Sequence, residues 1–372
     1  MRSPFERTQR KEHTIQPSVL VFPVDMPQSV AFAHTARQLG FKVVAASSEP
    51  TDPSRYPDFA FAHLPYVTDP GFDHALSDLL LTLQIQTVFA PHPAIWLHLH
   101  SLCNNDHFPA DFRVCNESPF DMDWQSYGEA YRWAEASASA RPLFPVTSSP
   151  ALPRASYAGL YRLYNLIPGQ SDNTKLFALT QIARHVVPGD VVEIGSLYGK
   201  SAFALAWLAK FHAIGSVICV DPWEPVSSSN QGEQAKMINA AVAGLDWQRA
   251  FLGFSASLAM FDHVNYLREP SESAAATYRR AVAAGNICSE EFGCTPVQGN
   301  IAILHIDGNH KYEVVKRDLE KWLPFVQDGG WVLLDDYVWA FGDGPKRAGD
   351  ELLAQRAVKT AFVAADTLFV QI

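Results

Sequence analysis

The fold is decided by residues 191–211, which read VVEIGSLYGKSAFALAWLAKF. The first four letters are mostly apolar and predict a buried strand, and KSAFALAWLAKF has the apolar spacing of a buried helix. The turn between them contains Gly195 and Gly199, and glycines at such a turn let the backbone come close to a ligand. A strand, a glycine-rich turn and a helix predict the start of a Rossmann-like α/β sheet with a ligand at the turn.

The same alternation of strand and helix continues toward the C-terminus. Apolar runs at 216–221 (SVICVD), 302–307 (AILHID) and 331–336 (WVLLDD) are separated by helical patterns such as EVVKRDLEKWLPFV. Strands that are apolar throughout predict a parallel sheet with helices on both faces. Two further apolar runs, KTAFVAA at 359–365 and TLFVQI at 367–372, flank a short turn at Asp366 and predict an antiparallel hairpin. We therefore expect a parallel α/β sheet that ends in a C-terminal antiparallel hairpin, the arrangement of class I methyltransferases.

The N-terminal part predicts a second, smaller α/β domain at residues 1–115. Residues 18–47 read as strand, helix and strand, and DHALSDLLLTLQ before TVFAPH adds another helix and strand. The unit resembles the small Rossmann-like domain that precedes the ligase core of ATP-grasp enzymes, although it has no phosphate-binding glycine pattern. Proline and serine at 116–160 predict a linker with a short helix. Residues 161–372 then form the larger domain, and the length of 372 residues agrees with two domains.

Composition narrows the class of partner. A net charge of -10 argues against sequence-independent binding to nucleic acid, which needs many basic side chains, and favours a neutral or cationic small substrate. Because no run of eighteen apolar residues occurs and the N-terminus has no apolar segment, we expect neither a membrane span nor a secretory signal. The cysteines lack CxxC spacing, so we expect free thiols in a reducing cytoplasm. They are Cys103, Cys115, Cys219, Cys288 and Cys294.

The glycine turn has three possible interpretations. Asp221 ends the second strand 26 residues after Gly195, where an acidic side chain can bind the hydroxyls of a ribose. This predicts a nucleoside site without phosphates. Alternatively, GxxxGKS is one residue short of the GxxxxGKS loop that wraps a phosphate with backbone N–H groups. A plain tight turn is the third interpretation.

Acidic residues at two strand ends predict a metal site. Asp307 ends one strand, Asp335 and Asp336 end the next, and the ends of neighbouring parallel strands open onto the same cleft. Clustered carboxylates repel one another unless a cation neutralises them, and oxygen ligands suit Mg²⁺, Mn²⁺ or Ca²⁺. Taken singly, each could instead be a helix cap or part of a solvated turn. His310 can reach the same cleft, and a histidine pKa near 6.5 suits a general base. His305 lies inside a strand, which favours a core histidine.

Together, EIGSLYGKSA, Asp221, IDGNHKYE and LLDDY resemble the metal-dependent sugar O-methyltransferases of natural-product pathways, such as the macrolide-sugar, macrocin and aminocoumarin enzymes. The resemblance covers roughly residues 165 to 372. It implies an enzyme that uses S-adenosylmethionine and Mg²⁺ or another divalent cation to methylate a hydroxyl of a sugar or a glycosylated natural product. By the same resemblance, Asp307, Asp335 and Asp336 hold the metal, and His310 acts as base beside Asp307.

The resemblance also implies the residues around the cofactor. Glu193 lies near the methionine amino group, Asp221 near the ribose, and Ser271 near the adenine together with Glu272 and Ser273. The segment GQSDNTKLFAL at 169–179 resembles a mobile lid over cofactor and substrate. The full set of implied cofactor residues is Glu193, Gly195, Ser196, Tyr198, Gly199, Ser201, Asp221, Ser271 and Asp307.

Three other functions stay open at the level of sequence. A relative of the cephalosporin-hydroxylase type would need an iron site with more histidines than this cleft contains. A P-loop-like protein would bind ATP or GTP and have no affinity for S-adenosylmethionine. A non-catalytic scaffold would retain only the cofactor pocket. The N-terminal unit has two candidate roles, contacts in a homo-oligomer and covering the substrate.

Overall fold

The computed structural model describes residues 16–144, 149–225 and 230–372. The chain divides into two compact units, Met1–Ser126 and Tyr127–Ile372. This division differs from the expected linker at 116–160, because residues from Tyr127 onward belong to the second unit. Ala130, Ala134 and Tyr157 are buried in its core. Their small or aromatic side chains repeat at helical spacing, a signal that the proline and serine content of the segment concealed.

The first unit is a five-stranded parallel sheet with helices. Its strand order is β3-β2-β1-β4-β5. The strands are β1 (Ser18–Val21), β2 (Lys42–Ser47), β3 (Ala60–His63), β4 (Thr87–Phe89) and β5 (Arg113–Val114). The helices are α1 (Pro27–Gln38), α2 (Phe72–Leu83), α3 (Pro93–Cys103) and the first part of α4 (Pro119–Ser139).

The second unit has a seven-stranded sheet. Its strands are β6 (Asp190–Ile194), β7 (Val217–Val220), β8 (Val264–Leu267), β11 (Ile301–Ile306), β12 (Val326–Leu334), β13 (Thr360–Ala364) and β14 (Thr367–Gln371). A separate hairpin consists of β9 (Asn286–Ser289) and β10 (Gly293–Pro296). Besides the rest of α4, the helices are α5 (Arg154–Leu166), α6 (Asn173–Ile182), α7 (Lys200–Phe211), α8 (Lys236–Ala243), α9 (Trp247–Leu258), α10 (Ser271–Ala284), α11 (Tyr312–Trp322) and α12 (Gly344–Gln355).

The order of the large sheet is β13-β14-β12-β11-β6-β7-β8. Strands β8, β7, β6, β11 and β12 are parallel, whereas β14 is antiparallel to both β12 and β13. The expected parallel sheet with a C-terminal antiparallel hairpin is confirmed, and this is the class I methyltransferase arrangement. Chain order reverses between β6 and β11, and ligands of open α/β sheets bind at the carboxyl ends of strands beside such a switch point.

The hairpin of β9 and β10 corrects the expectation for two cysteines. Its antiparallel register sets Cys288 opposite Cys294, and the two form a disulfide. The expectation that all five cysteines are free thiols is therefore wrong for Cys288 and Cys294. The register of a hairpin can pair two cysteines whose spacing matches no cysteine motif. Cys103, Cys115 and Cys219 are free. Among the described residues, no helix has the length and apolar character needed to cross a membrane.

Candidate active site

A cavity of about 630 Å³ opens at the carboxyl ends of the central strands in the second unit. It is lined by most of the residues that the sequence indicated as candidates. They come from the glycine turn, the ends of β7, β11 and β12, and the start of α10. Those on its wall are Gly195, Ser196, Tyr198, Ser201, Asp221, Ser271, Glu272, Asp307, His310, Asp335 and Asp336. Strand ends thus deliver the predicted cofactor and metal residues to one place.

The first glycine of the turn is required by a neighbouring strand. Gly195 has φ +87°, and a Cβ atom there would lie 2.2 Å from the carbonyl oxygen of Asp307. The close approach thus brings the end of β6 against the end of β11, whereas the sequence suggested close approach to a ligand. Gly199 has φ +83° and precedes the first residue of α7. Both positions favour glycine because other residues rarely adopt such φ values.

Asp221 closes the same turn from the next strand. Its Oδ2 accepts the backbone N–H groups of Ser196 and Leu197, each at 3.0 Å, and its Oδ1 accepts that of Trp223 at 2.7 Å. Burial raises the pKa of this carboxyl, and the three N–H donors oppose that effect. Backbone N–H groups that a phosphate-binding loop would offer to its ligand are here bonded to a carboxylate. This arrangement disfavours the P-loop interpretation.

Glu193 is buried and is not one of the residues that line the cavity. Its side chain is 0% exposed, its Oε2 accepts the Ser196 hydroxyl at 2.6 Å, and its Oε1 lies 3.0 Å from Nδ1 of His305. Glu193 thus lies between these two partners, and its place near a methionine amino group stays a prediction. His305 is buried, as its place inside a strand suggested.

The acidic cluster contains a lysine that the sequence analysis missed. Lys175 in α6 is 1% exposed, and its Nζ lies 2.6 Å from Oδ2 of Asp335 and 3.9 Å from Oδ2 of Asp307. The other oxygen of Asp335 accepts the hydroxyl of Thr367. Asp336 has φ +53°, a left-handed conformation that lets it line the same cavity as Asp335, its neighbour on the strand. Polar and apolar residues alternate irregularly in the helix sequence NTKLFALTQI, so the sequence contained no clear signal that Lys175 is buried.

The buried charges alter each other's pKa values. Burial raises the pKa of Asp307 well above its usual value, and the charge of Asp335 adds to this effect. Burial would also raise the pKa of Asp335, but the Lys175 ammonium, His305 and a hydrogen bond with Asp307 together outweigh it and hold that pKa below its usual value. Burial alone would lower the pKa of Lys175, whereas Asp335 and Asp307 raise it above the usual value. Lys175 and Asp335 are therefore a charged pair.

His310 is oriented from both sides of its ring. Its backbone N–H donates to Oε1 of Gln231 at 2.8 Å, so the atom of Gln231 that faces it is an oxygen. The ring Nδ1 lies 3.0 Å from the same oxygen, and the ring Nε2 lies 2.7 Å from Oδ2 of Asp336. The ring also packs against Trp339. Sequence gave no signal for Gln231, which is 79 residues away.

Two sets of side chains among the described residues could hold a metal ion. His305, Asp307 and Asp335 form one set, Asp307, His310 and Asp336 form the other, and the ligand atoms within each set lie within 4.8 Å of one another. The expected trio is thus divided between two sets that share Asp307. In the first set, Asp307 and Asp335 already contact the Lys175 ammonium. All three residues of the second set line the cavity. Carboxylate oxygens at the cavity fit a hard cation such as Mg²⁺.

Comparison with known families agrees with the topology. Residues 192–337 match the family model described as "Methyltransferase domain". The match includes the glycine turn, Asp221, Asp307, His310 and the Asp335–Asp336 pair. The second unit therefore has the class I methyltransferase fold, and residues 192–337 are similar to methyltransferase domains, a class whose cofactor is S-adenosylmethionine.

Several solved structures are similar to this chain. The O-methyltransferase NovP is 20% identical with a TM-score of 0.39, over 53% of this chain and 79% of NovP. The calicheamicin methyltransferase CalS11 is 15% identical with a TM-score of 0.42, over 69% and 94%. The MycE methyltransferase of the mycinamycin biosynthetic pathway, in complex with Mg and SAH, is 17% identical with a TM-score of 0.28, over 49% and 44%. Identities and TM-scores this low say nothing about what this chain acts on. No curated protein matches the chain.

Proposed function

We propose that this protein is an S-adenosylmethionine-dependent and divalent-metal-dependent O-methyltransferase that acts on a hydroxyl of a small molecule, a sugar or a glycosylated natural product. One observation carries the proposal. Asp307, His310 and Asp336 line the same cavity as the glycine turn, so a cation site and a base share one space with the cofactor residues. Metal-assisted methyl transfer to a hydroxyl uses these three elements together.

The cofactor lies along the glycine turn in this proposal. Gly195, Ser196, Tyr198 and Ser201 supply that wall, and Asp221 has lone pairs left to accept ribose hydroxyls beside its three backbone bonds. Further along, the Ser271 hydroxyl accepts the indole N–H of Trp322 at 2.9 Å and lies at the adenine end. Glu193 acts indirectly by orienting Ser196.

Asp307 and Asp336 are the residues that would hold the divalent cation. When bound, such a cation lowers the pKa of a coordinated hydroxyl. His310 Nε2 takes the hydroxyl proton, and Oδ2 of Asp336, 2.7 Å away, stabilises the imidazolium that results. When bound along the glycine turn, S-adenosylmethionine would supply the methyl group for that oxygen and would leave as S-adenosylhomocysteine.

The remaining cavity wall supports an acceptor with an apolar part. Ile238 and Val242 of α8, Leu245 and Trp247 contribute side chains to the same cavity as the carboxylates. An apolar surface beside a charged one suits a molecule that presents a hydroxyl to the base and an apolar ring to the wall. A glycosylated natural product has both features.

Binding of S-adenosylhomocysteine tests the cofactor and the metal. Calorimetry on the full chain should show micromolar binding of S-adenosylhomocysteine, and Asp336→Asn should weaken Mg²⁺ binding while it leaves cofactor binding in place. The reason is that Asp336 contributes a ligand oxygen and no part of the glycine turn. A folded protein without affinity for S-adenosylhomocysteine would contradict the proposal as a whole, and unchanged Mg²⁺ affinity in Asp336→Asn would contradict its metal.

Substitution of His310 tests the base. His310→Gln should lower turnover at least about 100-fold while affinity for S-adenosylhomocysteine stays the same, because general-base catalysis contributes about that much. His263→Gln is the matched control, since the Nε2 of His263 bonds to the carbonyl of Ala206 instead. Full turnover in His310→Gln would remove histidine from the mechanism.

A further inference from the structure

Lys175 is a charged side chain held almost entirely out of water. It lies in the first turn of α6, where Asp172 caps the helix by accepting the backbone N–H groups of Thr174 and Lys175, each at 2.9 Å. The cap fixes the backbone from which the side chain extends. Burying an ammonium is costly unless it is paired, and its two partners here are Asp335 and Asp307. The pairing is therefore a required feature of this interior.

The Lys175 ammonium contacts two members of one of the two candidate metal sets. We call His305, Asp307 and Asp335 the inner cluster, and Asp307, His310 and Asp336 the outer cluster. Within the inner cluster, both carboxylate oxygens of Asp335 already have partners: Lys175 pairs with one oxygen, and the hydroxyl of Thr367 donates to the other. In the outer cluster, the ring Nε2 of His310 lies 2.7 Å from Oδ2 of Asp336, and no lysine or arginine in the described part of the chain forms an ion pair with Asp336.

We propose that Lys175 is the resident cation of the inner cluster, where it holds Asp335 in place and confines a divalent cation to the outer cluster. The confinement of a divalent cation to the outer cluster rests on the proposed function. Lys175 is a positioning residue, and Asp335 acts through Lys175 and not as a metal ligand. Because the two clusters share Asp307, a divalent cation held by the outer cluster would lie near the ammonium. Their repulsion in a poorly solvated interior weakens the affinity of the outer cluster for metal.

The first test needs no metal. Thermal unfolding in EDTA would be compared for the full chain, Lys175→Met, Asp335→Asn and the double variant. Each single variant leaves a buried group without its partner, so each should lower Tm substantially, and the double variant should lose much less than the sum of the two. The same cycle on Lys316 and Glu351, an ion pair with exposed side chains, should be additive within error.

Additive losses for Lys175 and Asp335 would overturn the inference. If Lys175→Met does not fold but the double variant does, this recovery of folding is itself the coupling between Lys175 and Asp335 that the inference expects. A double variant that also fails to fold, while Asp335→Asn folds, would overturn it.

The second test measures Mg²⁺ affinity by calorimetry. Lys175→Met should bind Mg²⁺ about tenfold more tightly than the unsubstituted protein, because a positive charge beside the outer cluster is gone. Lys316→Met removes the same charge from an exposed pair and should leave the affinity unchanged. Equal or weaker binding by Lys175→Met would overturn the inference. If the unsubstituted protein binds no Mg²⁺, the metal of the proposed function fails, whereas the EDTA cycle still decides the role of Lys175.

Discussion

Asp318 is a carboxyl group that the sequence analysis passed over and the structure buries in the cavity wall. Burial raises its pKa to about 6, although a hydrogen bond from Ser271 opposes the shift. An unfolded aspartate has a pKa of about 3.9, so between pH 4 and 6 the unfolded chain loses its proton before the native protein does. The native state is therefore progressively destabilised as pH rises through this window, and the loss is complete above pH 6.

Asp318→Asn should remove this dependence. Relative to the unsubstituted protein, its free energy of unfolding should rise between pH 4 and 6 and stay about 2 to 3 kcal/mol higher above that window. Urea unfolding at a series of pH values measures the difference. A constant difference across the whole pH range would show that Asp318 is not held in its protonated form.

At the scale of single residues, sequence predicted which acidic groups reach the cavity but not what they contact. Asp307, Asp336 and His310 were expected there because each follows the end of a strand. The partners of the cluster could not be predicted, since Lys175 contacts Asp335 across 160 residues of chain. Strand pattern also fixes no side-chain direction at a strand end, and it therefore did not separate Asp335 from Asp336.

Helix α6 is the element that supports the inner cluster, and its N-cap can be tested separately. Asp172→Ala removes the acceptor for two backbone N–H groups and should cost about 1 kcal/mol of stability. Asp172→Asn keeps a capping oxygen and should stay within a few tenths of a kcal/mol of the unsubstituted protein. Urea unfolding measures both. Equal losses in the two variants would mean that charge, and not the cap, is what matters at this position.

Elements were predictable in proportion to their burial. Strands β6, β7, β11 and β12 are almost wholly buried, and their unbroken apolar runs identified them. The β9–β10 hairpin was missed because most of its residues are exposed or partly exposed, which leaves little apolar pattern. The two-residue strand β5 is too short to produce a pattern at all.

The whole chain contains two units, and the hydrophobic clusters of each are made of its own residues. Sequence predicted two α/β domains from the change in strand pattern, but composition placed the boundary region poorly because buried alanines and tyrosines lie among exposed polar residues in 127–160. The cavity is lined by residues 168–366 alone, and all of them belong to the second unit.

This division predicts how ligands change the stability of the protein. Because each unit has its own core, we expect two transitions in a calorimetric scan of the full chain. S-adenosylhomocysteine with Mg²⁺ should raise the transition temperature of the second unit alone. At a hundredfold excess over Kd, the free energy of unfolding of that unit should rise by about 2.7 kcal/mol. ATP should raise neither, since Asp221 already accepts the N–H groups of the glycine turn that a phosphate would need. A shift caused by ATP, or a shift of the other transition by S-adenosylhomocysteine, would contradict this assignment of the site.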